Sequence, residues 1–254
     1  MTLLGTGTSQ GVPVIGCDCA VCQSADPKDK RLRTAALLQV GGKNIAIDCG
    51  PDFRAQMLRT GIDRLDAILI THQHNDHIIG LDDVRPFNFR NNMDMPVYCT
   101  APVETELKQR FAYIFESQNR YPGAPQVQIH RISKSQPFEV EGQQVIPIEL
   151  MHGRMPVLGF RFGNFAYLTD VRTIAKEELA KLNGLDTLVL SALHHSEHHS
   201  HLNLEQALKL VQQLAPGRTF LTHMSHRMGL HQQVSRKLPE NVALGYDGLT
   251  FTVD

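Results

Sequence analysis

Tryptophan is absent from this 254-residue chain, and no apolar run approaches the roughly 18 residues that a membrane span needs. Neither sign of charge is in excess: 25 Lys and Arg face 26 Asp and Glu, for a formal net charge of −1. That balance exerts no general pull toward nucleic acid or an anionic membrane, and neither is expected as a partner. The first residues, Met1-Thr2-Leu3-Leu4-Gly5, lack a basic stretch and a long apolar one, so the expectation is no signal peptide and a cytoplasmic protein. Cysteine is scarce, and three of the five crowd together at Cys17, Cys19 and Cys22. Such crowding argues against a disulfide framework and fits a reducing compartment with a metal cluster. No internal repeat, low-complexity tract or linker divides the chain, and one domain over residues 1–254 is expected.

Short apolar runs bounded by Gly, Pro or Asp predict strands at Ala35–Val40, Asn44–Asp48, Ala67–Ile70, Pro96–Cys99, Val127–Ile132 and Gln144–Ile148. Further strands are predicted at Gly159–Phe162, Phe165–Thr169, Thr187–Ser191, Thr219–Thr222 and Thr250–Val253. Helical patterns fall at Phe53–Arg59, Val103–Phe115, Ala175–Leu182 and Leu204–Leu214. The last carries Leu204, Leu208 and Val211 on one face, with Asn203 as its N-cap. Strands in runs, mixed with helices in both halves, suggest two sheets with helices outside: a four-layer α/β arrangement.

The densest chemistry lies in Ile70-Thr71-His72-Gln73-His74-Asn75-Asp76-His77, where three imidazoles and a carboxylate follow a buried strand. Side chains two apart on an extended segment share a side, so His72 and His74 can chelate one ion. Asp76 and His77, past the turn, can face a second. Imidazole and carboxylate together suit Zn, Mn, Fe or Ni better than Ca or Mg. A polar loop that meets only water is the alternative. Two ions need more ligands than this motif holds, and His152, Asp170 and His223 each stand at the C-terminal end of a predicted strand.

With these seven residues in order, the chain resembles the metallo-β-lactamase superfamily. Within it, the chain is most similar to the phosphodiesterase branch of the carbon–phosphorus lyase pathway. The shared marks are Gly5-Thr6-Gly7-Thr8-Ser9, Cys17-Asp18-Cys19-Ala20-Val21-Cys22 and Leu221-Thr222-His223-Met224-Ser225-His226. The resemblance implies an αββα sandwich and two active-site divalent ions, Zn, Mn or Fe. By the family pattern, His72, His74 and His152 hold one ion, Asp76, His77 and His223 the other, and Asp170 bridges them. It also implies one structural Zn on Cys17, Cys19, Cys22 and His226, closed and without an open position. Ser200-His201-Leu202-Asn203 matches the segment carrying the family's catalytic histidine. His201 would donate a proton to the leaving oxygen or stabilise charge on the phosphoryl group.

Other histidines and polar residues carry weaker signals. His198 is a lesser candidate near the site, and Asp48 either orients a metal-binding His or forms a turn before Gly50. His194, His195 and His199 read as solvated or supporting groups, and His130 and His231 have no local support. The basic run Lys28, Lys30, Arg31 and Arg33 reads as a solvated loop or an attractor of phosphate. Cys49 and Cys99 read as buried bystanders.

The expected function is a binuclear metal-dependent phosphodiesterase, with Asp76 and His201 in its catalytic machinery. Small cyclic phosphodiesters are its expected substrates, attacked by a hydroxide bridging the ions. The rival readings are a tRNA 3′-processing endonuclease, a thioester hydrolase and a non-catalytic accessory of cofactor biosynthesis. A homodimer is compatible with the resemblance.

Overall fold

The predicted strands are apolar on successive residues as well as alternate ones, and such strands need cover on both faces. The computed structural model, which describes residues 1–116 and 121–253, shows how that cover is supplied. One sheet has six strands in the spatial order β1 (Thr2–Gly5), β2 (Ala35–Val40), β3 (Lys43–Ile47), β4 (Ala67–Leu69), β5 (Met95–Cys99) and β6 (Val127–Arg131). Strands β1 to β3 are antiparallel neighbours, and β3 to β6 run parallel.

The second sheet places β11 (Thr173–Ile174), β8 (Gln143–His152), β9 (Met155–Phe162), β10 (Phe165–Leu168), β12 (Thr187–Ser191), β13 (Arg218–Thr222) and β14 (Val242–Leu244) side by side. A short β7 (Phe138–Val140) pairs with β8 off this path. From β10 to β14 the strands are parallel.

Alternation along each strand sorts side chains into three apolar layers. Ala36, Leu38, Ile45 and Ile47 of the first sheet meet Leu158, Phe160, Phe165 and Tyr167 of the second in a shared core. Their neighbours Leu37, Ala46 and Ile68 point the other way, onto Phe53, Met57 and Leu107 of the helices Phe53–Thr60 and Ala101–Arg110. On the far side, Leu168, Leu188 and Leu190 pack on Ala207, Val211 and Leu214 of the helix Leu204–Leu214. That helix starts at a full capping box, in which Asn203 and Gln206 satisfy each other's backbone amides. The result is helix, sheet, sheet, helix, the four-layer αββα sandwich that the pattern predicts.

Boundaries differ in instructive places. Thr250–Val253 is no strand; it meets β1 through an isolated Thr2–Thr250 bridge and a Phe251 amide bonded to the Met1 carbonyl. The helix expected at Val103–Phe115 begins at Ala101 and breaks at Phe111, whose ψ of 42° leaves the helical range, before a short turn Ala112–Phe115. Strand β8 extends to His152, so that residue closes the strand instead of following it. Among the described residues, no helix is long and apolar enough to cross a membrane.

The two sheets are tied beside the histidine motif, where the Leu158 amide of β9 donates to the Thr71 carbonyl at 3.0 Å. Phe160, fully buried between the sheets, tests this packing. Phe160→Ala should cost about 3–5 kcal/mol in urea unfolding, whereas Phe89→Ala, at an exposed site, should cost less than about 0.5. Equal effects would contradict the two-sheet core.

Candidate metal centre

Strand β4 ends at Leu69, and the Ile70 amide still donates to the Tyr98 carbonyl of β5, so the chain leaves the sheet in a fixed direction. His72 and His74 follow, and the helical turn Asn75–Ile78 then presents Asp76 and His77. Opposite them, His152 closes β8, Asp170 lies just beyond β10 and His223 just beyond β13. Four segments from two sheets therefore deliver all seven predicted side chains to one place. The His72 ring centroid lies 4.7 Å from His74, 4.1 Å from His77 and 5.9 Å from His152. Asp170 sits between groups, with Oδ2 3.3 Å from His77 Nε2 and Oδ1 3.2 Å from His223 Nε2. Asp76 Oδ2 lies 3.3 Å from the same His77 nitrogen and 3.8 Å from His223 Nε2.

Asp48, fully buried, orients this cluster from behind. Its Oδ2 accepts from His77 Nδ1 at 2.6 Å, which leaves His77 Nε2 to face Asp76 and Asp170. The Thr71 amide donates to Asp48 Oδ1 at 2.8 Å and the Thr71 hydroxyl to Oδ2 at 2.9 Å. With its proton committed there, Thr71 Oγ1 accepts from His72 Nδ1 at 2.9 Å and turns the bare Nε2 inward. His152 Nδ1 donates to the Ser200 carbonyl at 2.9 Å, with the same effect on its ring. Sequence reasoning found Asp48 but missed Thr71 and Ser200. Thr71 has one sequence signal, its place directly before the first histidine; Ser200 acts through its backbone and has none.

The donor set fits divalent ions. Buried His77 Nε2 and both nitrogens of His223 have no hydrogen-bond partner, and His72 Nε2 stands only 3.1 Å from His74 Nδ1. Buried nitrogens without partners are costly unless something else takes their lone pairs. Three residues here hold left-handed backbone without being glycine: Asp48 at φ 66°, Asp170 at 56° and His223 at 57°. Strain of this kind persists where the surroundings over-determine it, and functional sites are where it gathers. The loop is also close-packed: a Cβ on Gly50 would stand 1.9 Å from the Asp76 carbonyl oxygen.

Charge is distributed to match. Burial opposes ionisation of Asp170, yet His223 and His77 beside it hold its carboxyl well below the usual range. Asp76 behaves alike under His77 and His223. Burial pushes Asp48 up, against the pull of His77 and Thr71. Burial together with neighbouring His77 pushes His72 well down, so it stays neutral and able to ligate.

His201 stands beside these residues. Its ring is 4.4 Å from His152 and 5.0 Å from His223, and its buried Nδ1 lies 3.8 Å from Asp170 Oδ1 without a hydrogen bond. Burial and the nearby His223 lower it to about 2, so it is a neutral imidazole. His198 packs on it at 5.1 Å and takes the Ser200 amide at 3.3 Å, supporting the residue whose carbonyl orients His152. His194 is buried, accepting from the Ser196 amide, while His195 donates to the Met228 carbonyl. His130 stacks on Tyr98, away from the centre, and His231 lies against Arg31.

The cysteine cluster is assembled from both ends of the chain. Sγ of Cys17, Cys19 and Cys22 stand 3.2, 3.5 and 3.5 Å from His226 Nδ1. The Cys22 backbone amide lowers the Cys19 thiol to about 6, while burial raises Cys22 to about 11. Four such ligand atoms within reach of one another can close a tetrahedral site. Cys49 and Cys99 are buried, as expected. The basic run, however, is solvated only in part: Lys28 is exposed, but the later residues are not free. Arg31 is buried and donates to the Thr6 hydroxyl and the Gly245 carbonyl, and Arg33 pairs with Asp52. Gly5 and Gly7 pack against the backbone of Arg31–Arg33.

Asp48→Asn keeps the shape but puts an amide where three donors converge. Affinity for active-site metal should fall about 10- to 100-fold, read by competition with a chromogenic chelator. Unchanged affinity would remove Asp48 from its orienting role.

Residues 43–224 match the beta-lactamase superfamily domain. An octanoyltransferase of Porphyromonas gingivalis is 43% identical over 254 residues, 99% of this chain but 51% of that protein. The chain thus spans about half the length of that relative. A ribonuclease Z of Bradyrhizobium diazoefficiens is 30% identical over 139 residues, covering 54% of this chain and 46% of its own. Among solved structures, a diphosphatase from the PhnP family superposes with a TM-score of 0.93 at 42% identity, covering 100% of this chain and 97% of its own. Zinc-bound PqqB from Methylobacterium extorquens shares the fold, with a TM-score of 0.79 at 17% identity over 99% of both chains. On the domain match, which covers more than half of its residues, the chain belongs to the beta-lactamase superfamily.

Proposed function

We propose that this chain is a metal-dependent hydrolase that cleaves small phosphodiesters, cyclic ones included, at a centre of two divalent ions. The observation that carries the proposal is Asp170, whose two carboxylate oxygens face different histidines between two ligand sets. His72, His74 and His152 would hold one ion, Asp76, His77 and His223 the other, and Asp170 would serve both. Zn, Mn and Fe all suit imidazole and carboxylate donors. When bound, such an ion pair supplies a water of lowered pKa and polarises a phosphoryl oxygen.

The chain's own residues do the rest. Asp48, Thr71 and the Ser200 carbonyl hold three imidazoles in the tautomer that ligates. His201, neutral and without a protein partner at Nδ1, offers an N–H to the phosphoryl or leaving oxygen. That supports charge stabilisation over proton donation for this residue. A structural Zn on Cys17, Cys19, Cys22 and His226 would fasten the N-terminal loop to the turn that follows His223. The residues fit a phosphodiester substrate, and no nucleic-acid or membrane partner is invoked.

A diphosphate link is the second reading, favoured by the 42% identity to the PhnP-family diphosphatase. Attack on phosphorus is common to both readings, and they differ in the leaving group: a phosphate departs more readily than an alkoxide. The octanoyltransferase name belongs to a protein twice as long, and acyl transfer finds no support in this ligand set.

Asp76→Ala should abolish turnover of bis-p-nitrophenyl phosphate, and persistence at the wild-type rate would end the two-ion reading. His201→Ala should lower kcat on a 2′,3′-cyclic nucleotide about 10²- to 10³-fold with metal content unchanged. Loss of metal instead would make His201 a ligand. Elemental analysis should find three ions per chain, and Cys17→Ser should lack one zinc while retaining the active-site pair. The same zinc content in Cys17→Ser and wild type would refute the structural site.

A further inference from the structure

The carboxyl ends of β4, β5 and β6 lie side by side, and β4 alone carries metal-binding candidates. Beyond β5 and β6, at the same rim, the structure holds a cavity of about 400 Å³. Thr71 and Gln73 line it from the loop after β4, Ala101 and Pro102 from the start of the helix Ala101–Arg110 after β5, and Ile132 and Ser133 from the loop after β6, while Met155 to Leu158 of β9 form the facing wall. We propose that this cavity seats the uncharged, apolar organic substituent of the substrate, while its phosphoryl group sits at the metal centre.

Adjacency to the centre comes first. Gln73 stands between His72 and His74 in sequence, and Met155 is the register partner of His152 across the β8–β9 hairpin. Gln73 Nε2 donates to Met155 Sδ at 3.2 Å, so these two side chains form the partition between cavity and ligand cluster. Both are partly exposed, and a methionine repacks readily around a ligand. Behind them, the Leu158-to-Thr71 hydrogen bond closes the floor.

The lining then selects the ligand. Pro102, Ile132, Met155, Pro156, Val157 and Leu158 give apolar walls, suited to a ring or branched group and not to a second phosphate. Lys134 lies at the edge, but Glu149 pairs with it and cancels its charge. Gln73, Ser133 and Thr100 leave a few polar groups at the mouth, enough to orient the polar edge of a ring. The volume exceeds that of a single six-membered ring and lies within the range of small-molecule pockets.

This assignment rests on the phosphoester reading above, so its test uses binding as well as turnover. Methylphosphonate and a phenylalkylphosphonate series, from phenylmethyl to phenylbutyl, are titrated calorimetrically into metal-loaded protein. The best phenylalkyl member should bind at least about tenfold more tightly than methylphosphonate, the gain from burying a ring. Ser133→Trp and Ala101→Trp, both at exposed lining positions, should each abolish that gain while methylphosphonate binding holds. A wild type without the phenyl preference, or variants that both retain it, would overturn the assignment. Turnover of bis-p-nitrophenyl phosphate is measured on the same samples. Turnover without phenyl preference removes the cavity alone. Phenyl preference without turnover keeps the cavity as an apolar-ligand site and removes the phosphoesterase reading.

Discussion

The Asp48 carboxylate is the group on which the centre's geometry depends. It is fully buried, sits on left-handed backbone, and receives three donors. One of these is His77; another, the Thr71 hydroxyl, passes the constraint on to His72. A single carboxyl group thus decides which nitrogen of two rings faces forward. Burying such a charge is unfavourable unless it is fully hydrogen-bonded, and here both oxygens are engaged. The sheet makes this feasible: Asp48 lies just after β3 and Thr71 just after β4, and these strands are parallel neighbours. Their ends therefore arrive together, and the Asp48 amide binds the Leu69 carbonyl between them.

The second sheet contributes by a different logic. His152 closes a long strand, and Asp170 and His223 sit at sharp left-handed turns after β10 and β13. The two halves of the ligand set are joined by backbone as much as by side chains, through Leu158 and Thr71. The shared apolar layer from Ala36 to Tyr167 sets the spacing of the sheets, and so the distance across which the ligands face. Packing and chemistry are in this sense one constraint.

Much of this was legible in the chain. The layered α/β class followed from strand runs mixed with helical periodicity, and the candidate ligands were visible because they crowd into one motif or stand at strand ends. The residues that escaped notice act through atoms that residue identity does not advertise: the Thr71 hydroxyl, the Ser200 carbonyl. Arg31 was misread because charge in a short basic run suggests solvent; its burial comes from Thr6 and Gly245, which are remote in sequence. The break at Phe111 was hidden for the opposite reason, since apolar spacing continues through it. At Thr250–Val253 the residue types favour a strand, but neighbouring turns permit only a bridge to β1.

One further consequence lies in how the first and last motifs meet. The Met224 amide binds the Thr6 carbonyl and the Thr8 amide binds the Met224 carbonyl, directly beside His223. His223, the last candidate ligand, is thus held by residues remote in sequence, a contact of very high sequence separation and slow to form. During synthesis from the N-terminus, the histidine motif emerges long before its counterpart at residue 223. A nascent chain can fold its first sheet and display His72 to His77, yet it lacks the scaffold that completes the cluster. Any metal held by the full cluster therefore requires the two ends of the fold to have met first.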